Sequence, residues 1–456
     1  MASSLNVRVV SRSLVKASDT TIEPHVLAVS NLDLLPQTIQ TSMFCVYPKP
    51  PIADFDAVVA AFQAGLPSLL NHFFLLAGRI ATNPSSGLPE VHCYNQGAEL
   101  VVGEAGVALA GLDYGNMSAS LRWIQQPRGQ DMALSVQVVS FACGGFTVSW
   151  CTNHVLVDGS ALSSLVGAWS ELARTGMLSA GARPNHDTMT APPSYSASLN
   201  QAFTPLEGER QVNVLTRDHS VVKRNYYIEA SDVARLREAA SREGQRATRV
   251  AVSAYLWKTL ARVVGTSDPH CRMGWWVDGR RRLMAPELLA TMPNYVGNVI
   301  TFAAREASVA EILRMPLPDV AAMVREAFMA PAYDQHFQEL VDWVEEHKTK
   351  RYIETETLGL GSPAVCMSAF TSFGIDTDFG FGHAAMATPT CASATRLCAG
   401  LVQITVQPGV HGAWIVNAFL WPQLAAALEA DEPRVFKLLT AEYLGLVAPK
   451  VQQSRL

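Results

Sequence analysis

The chain has 456 residues, 49% of them hydrophobic and only 16% charged, with a net charge of −5. That is enough apolar material for a sizeable core and too much chain for one ordinary domain, so two are expected. There is no basic tail and no basic stripe interleaved with aromatics, which excludes a nucleic-acid partner; the first residues, Met1-Ala2-Ser3-Ser4-Leu5, carry no secretion pattern, and no apolar run is long enough to span a bilayer. Residues 41–47 are predicted as a strand. Asp54 is placed to cap a helix from Phe55 to about Leu70, whose stripe is Val58, Phe62, Leu66 and Leu69 and whose end Pro67 is expected to kink. Segments 134–141 and 146–151 are predicted as a hairpin around Cys143-Gly144-Gly145. Apolar and small polar residues alternate along its second arm, the period of a half-buried strand. A helix over 161–175 follows, with Leu162, Leu165, Val166, Trp169, Leu172 and Ala173 at helical spacing and Gly176 as its stop. From Gly176 to Pro205 the pattern fails in favour of Gly, Ser, Ala, Pro and Asn, which marks an interdomain connection. A strand at 222–228, a helix capped by Ser231 and ending at Ala240, and a helix over 249–264 open the second part. The expected organisation is an N-terminal domain over 1–185, a crossover over 186–215 and a C-terminal domain over 216–456.

Between the hairpin and the helix lies His154-Val155-Leu156-Val157-Asp158-Gly159. Strand-to-helix junctions are where a rigid scaffold presents catalytic side chains, and a histidine there can act as a general base near neutral pH. The plainer alternatives are a core histidine and an Asp158 that only caps the helix. A metal pair is weaker, because no further ligands stand nearby at zinc-like spacing. The eight cysteines, at 45, 93, 143, 151, 271, 366, 391 and 398, include no CxxC pair and are expected to be reduced and buried. Cys151, close to His154 on the polar side of its strand, is a second candidate nucleophile. No GxSxG elbow supports a serine hydrolase.

Far downstream stands Asp378-Phe379-Gly380-Phe381-Gly382, two glycines in an aromatic pentapeptide that require a tight loop. Together, His154/Asp158 and this loop resemble the HxxxD and DFGWG signatures of the plant BAHD acyltransferases, with Phe381 where that family usually has Trp. Ser30-Asn31-Leu32-Asp33, Leu76-Ala77-Gly78-Arg79, Val277-Asp278-Gly279-Arg280-Arg281-Arg282 and Tyr295-Val296-Gly297-Asn298 resemble further family segments, in the family's order. The resemblance implies an α/β fold of two chloramphenicol-acetyltransferase-like domains, each a mixed sheet flanked by helices. It also implies some strand exchange and an active-site channel between the domains. It implies transfer of an acyl group from an acyl-CoA co-substrate, with no resident cofactor or metal, by a cytoplasmic monomer.

The resemblance makes His154 the base. It gives Asp158 and Gly159 a structural role, with Arg280 as the partner of Asp158, and the same holds for Asp378, Phe379, Gly380 and Gly382. A thioester is already activated, so a base and an oxyanion donor suffice. Ser368, Thr371 and Ser372 are the hydroxyl candidates for the donor. CoA phosphates call for basic side chains, and Lys258, Arg262, Arg281 and Arg282 are the candidates. His383-Ala384 replaces the basic residue and proline common after the family's loop. Ile375 stands where shikimate-using relatives carry an arginine, and Val299 where many anthocyanin malonyltransferases carry a cysteine. These departures point to an aromatic acyl group, hydroxycinnamoyl or benzoyl, and an uncharged alcohol or an amine as acceptor. The competing expectation is a noncatalytic accessory protein on the same fold, binding an acyl carrier or partner enzyme.

Overall fold

Alternating and β-branched segments become the strands of two large sheets in a computed structural model, which describes residues 6–36, 39–186, 195–196, 198–205, 221–242, 247, 250–355, 362–371, 375, 377–391 and 399–447. In chain order these strands are β1 (Val7–Val15), β2 (Gln40–Tyr47), β3 (Ala98–Ala105), β4 (Leu134–Phe141), β5 (Phe146–Asn153), β6 (Val222–Ile228), β7 (His270–Asp278), β8 (Ile300–Ser308), β9 (Ala364–Ala369), β10 (Met386–Cys391), β11 (Gly400–Val406), β12 (Trp414–Leu420) and β13 (Lys437–Leu438). The first sheet runs β1-β3-β4-β5-β2-β10 and the second β8-β7-β9-β11-β12-β6-β13. Both are mixed: β3–β4 pair in parallel in the first, and β7–β9 and β9–β11 in the second. The expected α/β fold of two mixed sheets flanked by helices is present. The last strand of the first sheet comes from the second part of the chain, since β10 pairs antiparallel with β2.

The principal helices are α1 (Phe55–His72), α2 (Gly159–Thr175) and α3 (Val250–Val264). Asp54 caps α1 by accepting from Ala57 N–H at 2.9 Å, and Gly176 ends α2 in the left-handed conformation at φ 76°. The apolar stripes of α1 and α2 cover one face of the first sheet, burying Phe62, Leu66, Leu165 and Trp169 against Val148 and Trp150. Helix α3 does the same for the second sheet, with Leu256, Trp257 and Leu260 beside Trp275, Val402 and Val416.

Three local expectations differ from the structure. Strand β5 is buried along both faces rather than half-buried. The strand period identifies its two faces but not what covers the polar one. There Gln126 N–H donates to Gln137 Oε1 at 2.6 Å, and the Gln137 amide returns a bond to the Gln126 carbonyl, so the segment around Gln126 lies across that face. Ser231 lies inside the helix Ala230–Ala239, whose N-cap is Glu229, with no side-chain cap bond. Among the described cysteines, Cys45, Cys93, Cys151, Cys271 and Cys366 are buried, but Cys143 is exposed at the hairpin tip. No helix among the described residues is long and apolar enough to cross a membrane. Much of the proposed crossover lies outside the described residues.

Candidate active site

Strand β5 ends at Asn153, and the next residue is anchored at once: His154 N–H donates to the Ile39 carbonyl at 2.8 Å. A short turn then brings the chain to Asp158, the N-cap of α2. Asp158 does two jobs with its two oxygens. Oδ1 accepts from Ala161 N–H at 2.9 Å, capping the helix. Oδ2 accepts from Arg280 Nη1 at 2.6 Å and from Val299 N–H at 3.0 Å. Arg280 also reaches the Tyr295 carbonyl, the Gly297 carbonyl at 2.8 Å and Asp278 Oδ1 at 3.2 Å. The Asp158 and Arg280 side chains are 1% and 3% exposed. Both Asp158 oxygens and the Arg280 guanidinium are matched, the condition under which a buried pair is tolerated, while Asp278 Oδ2 is buried beside them with no partner among the described residues. The glycine after Asp158 is explained by a close approach: a Cβ on Gly159 would stand 2.1 Å from the Phe370 ring.

The network does not aim Asp158 at the histidine. That position is taken by Asn298, from the loop that Arg280 holds. Asn298 Nδ2 donates to Asp33 Oδ1 at 2.8 Å and to the His154 carbonyl at 2.7 Å. Two acceptors on one side fix the amide's orientation, so Asn298 Oδ1 faces His154 Nδ1 at 3.0 Å. An amide oxygen only accepts, so Nδ1 must carry the proton and Nε2 keeps its lone pair. Asp33 is itself held: its other oxygen accepts from Ser30 N–H at 3.1 Å and Ser30 Oγ at 2.7 Å, and Asn298 N–H donates to Oδ1 at 2.6 Å. Burial raises the Asp33 carboxyl to about 6 against those hydrogen bonds. Burial also pushes the His154 imidazolium below the usual histidine range, opposed by the Asp158 charge and the Asn298 contact. His154 is therefore neutral at neutral pH. Asp33 and Asn298 each end a segment noted in the sequence, Ser30–Asp33 and Tyr295–Asn298, but 265 positions separate them, and no local pattern indicates that they meet.

The loop at 378–382 packs into the first core. Asp378 Oδ1 accepts from Gly380 N–H at 2.9 Å and Gly382 N–H at 3.0 Å, with both glycines at positive φ, 95° and 90°. Phe379 is buried between Phe62, Trp150 and Trp169, with ring centroids 5.1, 5.8 and 6.2 Å away. Phe381 meets Phe146 edge-on at 6.2 Å. The Asp378 carbonyl accepts from Ser170 Oγ and Arg174. The loop thus fastens the start of β10 to α2.

The four basic candidates for CoA all have partners within the protein and differ in where they lie. Lys258 donates to the carbonyls of Ile312, Leu313 and Met315, at the end of the short helix Val309–Arg314. Arg262 pairs with Asp431 at 3.4 Å and bonds Thr259. Arg282 stacks over Tyr333. Arg281 lines a cavity of about 330 Å³ together with Ser160, Ser163, Ser164 and Asp278. Of the hydroxyl candidates, Ser368 is partly exposed near the end of β9, and Thr371 Oγ1 is buried with no hydrogen-bond partner among the described residues. Ser372 lies outside them. Ile375 packs against the first core. Burial raises the Cys151 thiol, with Ser42 hydrogen-bonded to it, which disfavours the thiolate that a nucleophile needs. No cluster of His, Cys, Asp and Glu among the described residues could hold a metal ion.

Comparison with known proteins sets this geometry in a family. Residues 5–429 match the model of the Transferase family. The omega-hydroxypalmitate O-feruloyl transferase of Arabidopsis thaliana is 24% identical over 385 residues, covering 79% of each chain. The putrescine hydroxycinnamoyltransferase of Oryza sativa subsp. japonica is 26% identical over 380 residues, covering 74% of this chain and 79% of its own. Among solved structures, TRI101 of F. graminearum, complexed with coenzyme A and T-2 mycotoxin, superposes with a TM-score of 0.73 at 14% identity. The match covers 91% of this chain and 99% of that one, and it shows the same fold. The chain belongs to the Transferase family, the BAHD acyltransferases.

Proposed function

We propose that this protein transfers an aromatic acyl group, hydroxycinnamoyl or benzoyl, from a CoA thioester to the hydroxyl or amine of a small specialised metabolite, with His154 as general base. The observation that carries the proposal is the contact of His154 Nδ1 with Asn298 Oδ1, which leaves Nε2 as the basic nitrogen. Nε2 takes the acceptor's proton as its oxygen or nitrogen bonds to the thioester carbon. The carbonyl oxygen becomes an oxyanion, for which Thr371 Oγ1 is the candidate donor, a buried hydroxyl with no partner among the described residues. Collapse breaks the carbon–sulfur bond, and the imidazolium returns its proton to the CoA thiolate. A base of this kind contributes ~10²–10⁴ in rate.

Asp158 and Arg280 act as positioning residues: one ion pair ties the start of α2 to the loop of Asn298, so base and partner stay in register. Arg281 is the proposed contact for a CoA phosphate, as it faces a cavity with three serines. The aromatic donor is supported by the relatives' names, feruloyl and hydroxycinnamoyl. The neutral acceptor is supported by Ile375, which offers no charge to a carboxylate. The test is thiol release from feruloyl-, coumaroyl- and benzoyl-CoA with mixed alcohols and amines. Release that depends on the acceptor is expected; none above buffer for any pair overturns the proposal.

A further inference from the structure

A second cavity, of about 190 Å³, lies where the two sheets face each other. Strands of both sheets form most of its walls, with Ser118, Leu121 and Gln125 completing them, and the cross-strand registers are unusual for an interior. On the first sheet, Thr390, Ser42, Cys151 and Ser135 stand opposite one another in a row across β10, β2, β5 and β4. On the second, Gln403, Asn417 and Asn225 form a row across β11, β12 and β6. Residues paired in this way point to the same side of a sheet. Ser42 and Thr390 from one row and Asn417 and Asn225 from the other all line the cavity. Buried cores select apolar side chains, and polar ones are retained there when something hydrogen-bonds them. Gln125 Nε2, a donor on the cavity wall, and Gln403 Oε1, an acceptor in the second row, are buried without a partner among the described residues.

The cleft and the candidate active site share strand β2. Gln40, on the cavity wall, is in register with Asn153, and the carbonyl of the preceding Ile39 accepts from His154 N–H. Charge narrows what the cleft can take. Lys223 lines it, its ammonium 5.0 Å from the Phe419 ring centroid, and so does Arg224, which pairs with Glu429. No carboxylate stands among the described residues that line it, so a polyamine would find no counter-charge. A long alkyl chain would strip water from the amides and return no hydrogen bonds. The volume is below the ~300–1,000 Å³ of pockets that swallow a drug-sized ligand, which suits one compact polar ring.

We infer that this cleft binds a neutral polyhydroxylated group, such as a single sugar ring, and that the acceptor is a glycoside or similar polyol rather than an amine or a fatty alcohol. Hydroxyls both donate and accept, so one ring can serve the hydroxyls of Ser42 and Thr390 on one side and the amides of Asn417 and Asn225 on the other. The inference rests on the acyl-transfer reading above. It is tested with one aromatic acyl-CoA and five acceptors: an aryl glucoside, benzyl alcohol, a long-chain diol, putrescine and shikimate. The glucoside should exceed each of the others tenfold or more in kcat/KM. Asn417→Leu and, at the partly exposed wall, Gln40→Leu should lower the glucoside to benzyl alcohol ratio of kcat/KM at least tenfold, mainly through KM. A CoA-dependent rise in Tm verifies that both variants are folded. A preference for the diol, putrescine or shikimate overturns the inference, as does an equal loss on both alcohols in both variants. Absence of thiol release with every acceptor is a failure of acyl transfer itself. Calorimetric titration of the glucoside into the wild type and Asn417→Leu then decides the cleft: binding weakened tenfold by the substitution supports it, and no binding to the wild type overturns it.

Discussion

Asn298→Ala should cut kcat about tenfold and leave the base in place. The Asn298 side chain makes three hydrogen bonds, to Asp33 Oδ1 at 2.8 Å, to the His154 carbonyl at 2.7 Å and with His154 Nδ1 at 3.0 Å. The last fixes the tautomer. A neutral hydrogen bond is worth ~0.5–1.5 kcal/mol, and ~1.4 kcal/mol is tenfold in rate, so its loss costs roughly two- to thirteenfold. The bond to Asp33 has a charged acceptor and is worth ~1.5–3 kcal/mol, which should appear as lost stability in urea. Asn298→Asp separates the two effects: it keeps an acceptor at Nδ1 but adds a negative charge, which raises the His154 pKa and moves the acid limb of the rate profile to higher pH. The assay is thiol release against pH with saturating acyl-CoA. A kcat for Asn298→Ala within twofold of wild type would refute the tautomer argument, as would an Asn298→Asp limb that stays where it was.

Asp158→Asn and Arg280→Ala should each cost ~3–5 kcal/mol in urea unfolding, because each strands a buried partner, and their double mutant should be strongly non-additive; a coupling near zero refutes the pair. Free CoA should raise Tm with concentration, dephospho-CoA less so, and Arg281→Ala should abolish the difference between them; equal shifts in the wild type would show that the 3′-phosphate is not sensed there. Alcohol transfer should be flat at neutral pH, because burial lowers the His154 pKa and the neutral form is the base. It should fall only on the acid side of the ordinary histidine range, where His154 gains its proton, and Asp33, raised to about 6 by burial, is also protonated in acid. Amine transfer should keep rising above neutrality as the acceptor itself loses a proton. An acid limb at or above pH 7 for the alcohol contradicts the depressed histidine.

The elements around the site were legible because their signals are local. The alternation at 146–151, the stripe from Leu162 to Ala173 and the stop at Gly176 are each contained in one element. What lies over the polar face of β5 is not, since Gln126 and the second sheet arrive from elsewhere in the chain. The same holds at the site. His154 and Asp158 are four residues apart and visible together, whereas Asp33, Asn298 and Arg280 reach them from three other places. Ser231 resembles a cap in sequence, but the helix begins one residue earlier, and β6 leads directly into it. Lys258 resembles a free cation until the three carbonyls at the end of a neighbouring helix are seen around it. Composition identifies groups able to bind phosphate; only the fold shows which are already occupied.

The central claim is that His154 Nε2 is the base of an acyl transfer. It is tested most directly by thiol release from one aromatic acyl-CoA, with its best acceptor, by the wild type and by His154→Ala. Turnover should fall at least about a hundredfold in the variant, within the ~10²–10⁴ expected of a general base, while CoA still raises its Tm. Turnover within a few-fold of wild type, in a variant that still binds CoA, would contradict the account.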